Sequence, residues 1–77
     1  MFIKTQSESI INMNNVVMAN VVKYINMNRA ELTLYLDGMT LQAYIGTIEE
    51  AEDAFHALEE GLIKGASFID YSKTEMV

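Results

Sequence analysis

His56 is the single imidazole in a chain that has no cysteine, so metal binding or general-base chemistry would have to be organised around it. It lies four residues from both Glu52 and Glu60, and steps of four bring side chains onto one face of a helix. An imidazole with carboxylates at that spacing could hold a divalent cation, and Asp53-Ala54-Phe55-His56 loosely echoes the Glu-x-x-His ligands of di-metal helix bundles. Those bundles draw ligands from four helices, whereas this sequence offers the pattern of one. Exposed helices also carry charge pairs at i,i+4 routinely. The expectation is therefore a solvated polar face with no metal and no cofactor, Glu52, His56 and Glu60 being the candidate ligands should one bind.

Nucleophilic catalysis needs a hydroxyl or amine beside an oriented base. Ser7, Ser9, Ser67 and Ser72 fall in turn-like or terminal segments with no sequence relation to His56. There is no G-x-S-x-G and no phosphate-binding glycine loop. The carboxylate pairs Glu49-Glu50 and Glu59-Glu60 are adjacent on a polar stretch rather than set across a cleft. The chain reads as a protein that is not an enzyme.

Net charge is −6, and no cluster of Lys and Arg could neutralise phosphates, so direct binding to DNA or RNA is not expected. Anionic membrane surfaces are disfavoured on the same ground. Glu49, Glu50, Glu52, Asp53, Glu59 and Glu60 hold more than half of the chain's acids. Their common face is either a solubility surface or an acidic docking surface that imitates phosphates toward a basic protein. The longest apolar run, Val16 to Val22, is interrupted by Asn20 and is far shorter than the roughly 20 residues that span a bilayer. Polar residues from Lys4 to Ser9 stand where a secretory signal would continue its apolar stretch. Cytoplasm is the expected address.

A chain of 77 residues with 51% hydrophobic and 21% charged residues is globular in composition and too short for two cores. One domain over 1–77 is expected, with residues 72–77 fraying. Without disulfides, stability must come from packing, within the chain or against a partner subunit.

The elements that would position these residues begin with a hairpin. Glu31 to Leu36 and Met39 to Ile45 alternate apolar and polar residues around Asp37-Gly38, which suits a type I′ turn. A two-residue loop then sets Leu36 opposite Met39, Leu34 opposite Leu41 and Leu32 opposite Ala43. On the other face Tyr35 meets Thr40, Thr33 meets Gln42 and Glu31 meets Tyr44, so every pair is of one kind. Upstream, Val16 to Ile25 is a β-branched strand whose two faces are similarly apolar. Phe2 to Thr5 and Ile10 to Asn12 are shorter strands around a polar turn, and asparagines mark turns near 12–15 and 26–29.

After Gly46 the period changes. Ile48, Ala51, Phe55, Leu58 and Leu62 form the stripe of an amphipathic helix from Ile48 to Lys64, opened by the capping box Thr47-Ile48-Glu49-Glu50 and stopped by Gly65. Gly61 weakens its last turn by about 1 kcal/mol relative to Ala. Phe68 to Tyr71 is a further strand that could pair with this sheet or with another chain.

Ile11-Asn12-Met13-Asn14-Asn15-Val16, the Asp37-Gly38 hairpin and Thr47-Ile48-Glu49-Glu50-Ala51 together resemble small uncharacterised proteins of bacteria and their phages, built as a β-meander followed by one helix. The resemblance covers roughly Phe2 to Lys64. It implies that fold and brings no catalytic residue with it.

The expected fold is α+β: an antiparallel meander of four to five strands with one helix across its leucine face. A single sheet with one helix leaves the other face uncovered. That face, with Thr33, Tyr35, Thr40, Gln42 and Tyr44, is the expected interaction surface, tyrosine being favoured at interfaces. The expected function is a non-catalytic protein-protein interaction module that self-associates as a homodimer. The alternative is an acidic inhibitor or nucleic-acid mimic acting on a basic partner through Glu49, Glu52, Asp53, Glu59 and Glu60.

Overall fold

In a computed structural model, which describes residues 1–72, the strands divide into two three-stranded sheets. The larger contains β3 (Val16–Tyr24), β4 (Arg29–Leu36) and β5 (Met39–Gly46), an antiparallel meander in that spatial order. Across it packs α1 (Ile48–Lys64). The smaller sheet has the order β2 (Ile10–Asn12), β1 (Phe2–Lys4), β6 (Phe68–Asp70). The class is α+β, and the meander runs through three strands while the N-terminal pair turns away to a second sheet.

The predicted strand at Phe68 exists, but its partner is β1, in parallel, with Ile3 opposite Ile69. It does not extend the meander. Tyr71 follows it into the core, donating its hydroxyl proton to the Ala54 carbonyl at 2.6 Å. Ser72, expected to fray, is held by the Asp70 carboxylate through both its amide and its hydroxyl. The rest of that expectation falls on residues 73–77, outside the described residues.

The hairpin register holds from Leu36–Met39 to Thr33–Gln42 and then shifts: Leu32 faces Tyr44 and Glu31 faces Ile45. Ala43 is the extra residue of a β-bulge, so the expected pairs Leu32–Ala43 and Glu31–Tyr44 do not form. Gln6, in the β1–β2 turn, fits that bulge. Its amide donates to the Ala43 carbonyl at 2.9 Å and its side-chain oxygen accepts from the Ile45 amide at 3.1 Å. The tight turn is not of type I′ either. That turn needs positive φ at both central residues, and here only Gly38 has it, at 78°. Glycine carries the left-handed conformation at no steric cost, so Asp37 is spared it.

Helix α1 starts at the expected capping box, with the Thr47 hydroxyl accepting from the Glu50 amide and the Glu50 carboxylate accepting from the Thr47 amide. It ends at Gly65, left-handed at φ 74°. Its buried residues are Ala51, Ala54, Leu58 and Gly61, whereas Leu62 is 56% exposed. The stripe is rotated because the small sheet also packs on this helix. At Gly61 a Cβ would stand 2.8 Å from Ile69 Cδ1, so the glycine that weakens the turn also admits the second sheet. Ile3, Leu32, Leu34, Tyr44, Leu58 and Tyr71 belong to one core.

Candidate interaction surface

Register defines the face of the larger sheet that points away from α1. Its rows across β3, β4 and β5 are Met18, Tyr35 and Thr40; Asn20, Thr33 and Gln42; and Val22, Glu31 and Ile45, with Tyr24 beside Arg29 at one end. Strand β3 has a bulge at Val17, which fixes the inward set as Val16, Ala19, Val21 and Lys23. Lys23 confirms this orientation by reaching Glu52 on α1 at 2.8 Å.

Of the five residues expected on this face, Tyr35, Thr40 and Gln42 are accessible there. Thr33 lies in the middle row but is only 4% exposed. The neighbouring Tyr35 donates its hydroxyl proton to Asn20, the register partner of Thr33, at 3.1 Å, so its ring leans over that position. Tyr44 is not on this face. The bulge at Ala43 turns it inward, where it is 1% exposed and packs against Tyr71 with ring centroids 6.2 Å apart. Sequence reasoning missed Met18, Val22, Tyr24 and Ile45, which join the three accessible residues. No signal within Val16 to Ile25 could have found the β3 members, because both faces of that stretch are apolar and the bulge breaks its period, and Ile45 reaches this face through the bulge at Ala43.

The accessible face is largely uncharged. Met18 and Tyr24 are half exposed, Ile25 and Met27 beside them more so. Glu31 and Arg29 are its charged members and lie on successive rows. Tyr24, Met27, Arg29, Glu31 and Ile45 line a shallow groove of about 280 Å³ at that end. The two edges of the sheet differ. Gln6 occupies the edge of β5, whereas β3 is the other edge strand and among the described residues pairs only with β4.

The acidic residues project from α1. Glu49, Asp53, Glu59 and Glu60 are exposed and Glu52 is half-buried. The metal candidates do not converge: Glu52 engages Lys23, His56 Nδ1 lies 3.0 Å from Glu59, and Glu60 lies 3.6 Å from Lys64. The hydrogen bond and charge of Lys23 hold the Glu52 carboxyl below the usual carboxylate range. Among the described residues no three His, Asp or Glu side chains come together as a metal-binding group. No helix among them is long and apolar enough to cross a membrane.

No protein-family model matches the chain, and no significant match is found among curated proteins or solved structures.

Proposed function

We propose that this protein is a non-catalytic interaction module of the cytoplasm that self-associates as a homodimer through the outer face of the β3-β4-β5 sheet. The observation that carries this is how charge is distributed. A chain of net charge −6 places most of its acids on α1 and leaves the opposite sheet face with one acid, Glu31, beside Arg29. Two copies of an acidic protein repel unless they meet on neutral surfaces, and this face is the neutral one. It also offers what interfaces favour: Tyr24 and Tyr35 as broad contact groups, Met18 as an adaptable one, and Thr40 and Gln42 for hydrogen bonds. A second sheet face packed on it would supply the missing layer.

The experiment is light scattering over a hundredfold range of concentration on the wild type and on Tyr35→Ala combined with Gln42→Glu. Dimeric wild type and a folded, monomeric variant are expected. A wild type that stays monomeric at about 1 mM, where an association of only −4.1 kcal/mol would half-populate the dimer, would overturn the proposal. A folded variant that keeps its dimer would do the same.

A second function is favoured by the exposed Glu49, Asp53, Glu59 and Glu60, which form an acidic surface suited to a basic protein partner. Capture of such a partner should weaken as salt is raised, whereas the sheet-face dimer should persist or tighten.

A further inference from the structure

Between the start of α1 and β5 lies a depression of about 280 Å³ lined by Tyr44, Glu50, Asp53, Ala54, Ala57 and Tyr71. The helical members, at positions 50, 53, 54 and 57, share one face of α1. Among the described residues the lining holds two carboxylates and no basic side chain. Two acids on a helix would not by themselves make a site; Tyr44 is the independent feature. It is 1% exposed, yet its hydroxyl has no hydrogen-bond partner among the described residues. Nor is that oxygen sealed away, for among the described residues the enclosed side-chain atoms without partners are Gln6 Nε2 and Thr33 Oγ1. A buried tyrosine hydroxyl normally finds a partner; Tyr44 lines the depression without one among the described residues. Burial and then the charge of Glu50 raise its pKa, which places the carboxylate beside it.

Further details fit a ligand site. A Cβ at Gly46 would stand 2.7 Å from Glu50 Oε1 and 2.9 Å from Tyr44 Cε1, so a bare backbone lets carboxylate and ring edge share one corner. Glu50 Oε1 caps the helix through the Thr47 amide, while Oε2 has no partner among the described residues. The Tyr71 hydroxyl is taken by the Ala54 carbonyl, so Tyr71 offers the depression its ring alone.

We infer that this depression binds the head of a primary alkylammonium ion, held by Glu50, Asp53 and the Tyr44 hydroxyl, with its alkyl stem against Tyr71, Ala54 and Ala57. Two carboxylates select a cation. Three acceptors on separate side chains suit the three donors of an ammonium, whereas a guanidinium fork prefers both oxygens of one carboxylate. Ligand pockets usually measure about 300–1,000 Å³, so this one takes a head group and a short stem. The outer sheet face has no part in it, and the site stands or falls apart from dimerisation.

The test is a titration of the full chain with n-butylammonium chloride at constant ionic strength, followed by two-dimensional amide NMR. Saturable shifts are expected at Tyr44, Asp53, Ala54 and Ala57. Asp53→Asn should weaken binding on the order of tenfold and Tyr44→Phe about threefold, the scale of single charged and neutral hydrogen bonds. Glu60→Gln, on the same helix outside the depression, should leave it unchanged. The inference is overturned if butan-1-ol shifts the same amides as tightly, if n-butylguanidinium binds more tightly, or if Asp53→Asn has no effect. It is also overturned if Glu60→Gln weakens binding as much as Asp53→Asn, since attraction would then be diffuse. Nα-acetyl-lysine methylamide distinguishes the sources within the inference: tighter binding than n-butylammonium assigns a protein lysine, weaker binding a free amine.

Discussion

Replacing Tyr71 by Phe and by Ala separates the two things this residue does. Tyr71→Phe deletes one hydroxyl, which donates to the Ala54 carbonyl at 2.6 Å from a side chain only 5% exposed. A net contribution of about 0.5–1.5 kcal/mol is usual for such a bond. Ala54 lies inside α1 and keeps its helical amide partner four residues on, so no acceptor is orphaned and about 1 kcal/mol is expected. Tyr71→Ala removes the ring packed on Tyr44 as well and loosens the attachment of β6, for which about 3–5 kcal/mol applies. Burial pushes the Tyr71 phenol up to about 12, from 10.0. A group whose pKa is higher in the folded state contributes stability that is fully present below the unfolded value and lost as pH rises through the folded one. The advantage of wild type over Tyr71→Phe should therefore be constant up to about pH 10 and shrink between pH 10 and 12. Tyr44 is retained in both proteins and cancels from the difference. Urea unfolding followed by circular dichroism at pH 7, 10 and 11 measures all three proteins. If Tyr71→Ala loses less than about 1 kcal/mol, or the wild-type advantage over Tyr71→Phe does not change with pH, the C-terminal segment is not anchored as described.

Gln6→Ala removes the acceptor of the Ile45 amide and should lower stability by about 1 kcal/mol, since the enclosed Nε2 without a partner goes with it; faster hydrogen exchange at the Ile45 amide is the direct check. Gly46→Ala forces a methyl between Glu50 and Tyr44 and should lose about 1–3 kcal/mol in urea unfolding, and a neutral result would mean that the corner opens freely. Thr47→Ala leaves the Glu50 amide uncapped, with an expected loss of about 0.5–2 kcal/mol by thermal or urea unfolding.

What could be read from the sequence follows from how local each signal is. The helix and its two ends come from residues within a turn of one another, and Thr47, Glu50 and Gly65 act as their chemistry dictates. The Asp37-Gly38 turn and the first pairs of its hairpin are legible for the same reason. The bulge at Ala43 is not, because what stabilises it is Gln6, distant in sequence; with the bulge went the placement of Tyr44, which strict alternation turns outward. The division into two sheets was hidden likewise, since pairing β1 with β6 joins three-residue strands from opposite ends of the domain. Of the candidate surface, Tyr35, Thr40 and Gln42 were legible and its β3 half was not, because a strand apolar on both sides carries no record of which side is covered.

The parallel pairing of β1 with β6 also sets an order of events in the cell. Synthesis runs N-terminal first at roughly 5–20 residues per second, so Ile3 is made about 3 to 13 s before Ile69, the residue it faces across the small sheet. During that interval β2 is the one neighbour β1 can have, and a lone two-stranded ribbon is marginal in water. The pocket that holds Ile3 is finished by Ile69 and Tyr71, and these close it only once they have cleared the ribosome. Until then Phe2 and Ile3 are an exposed apolar pair on a nascent chain, available to a holding chaperone, and a ribosome stalled before Phe68 would present a chain whose core stays open.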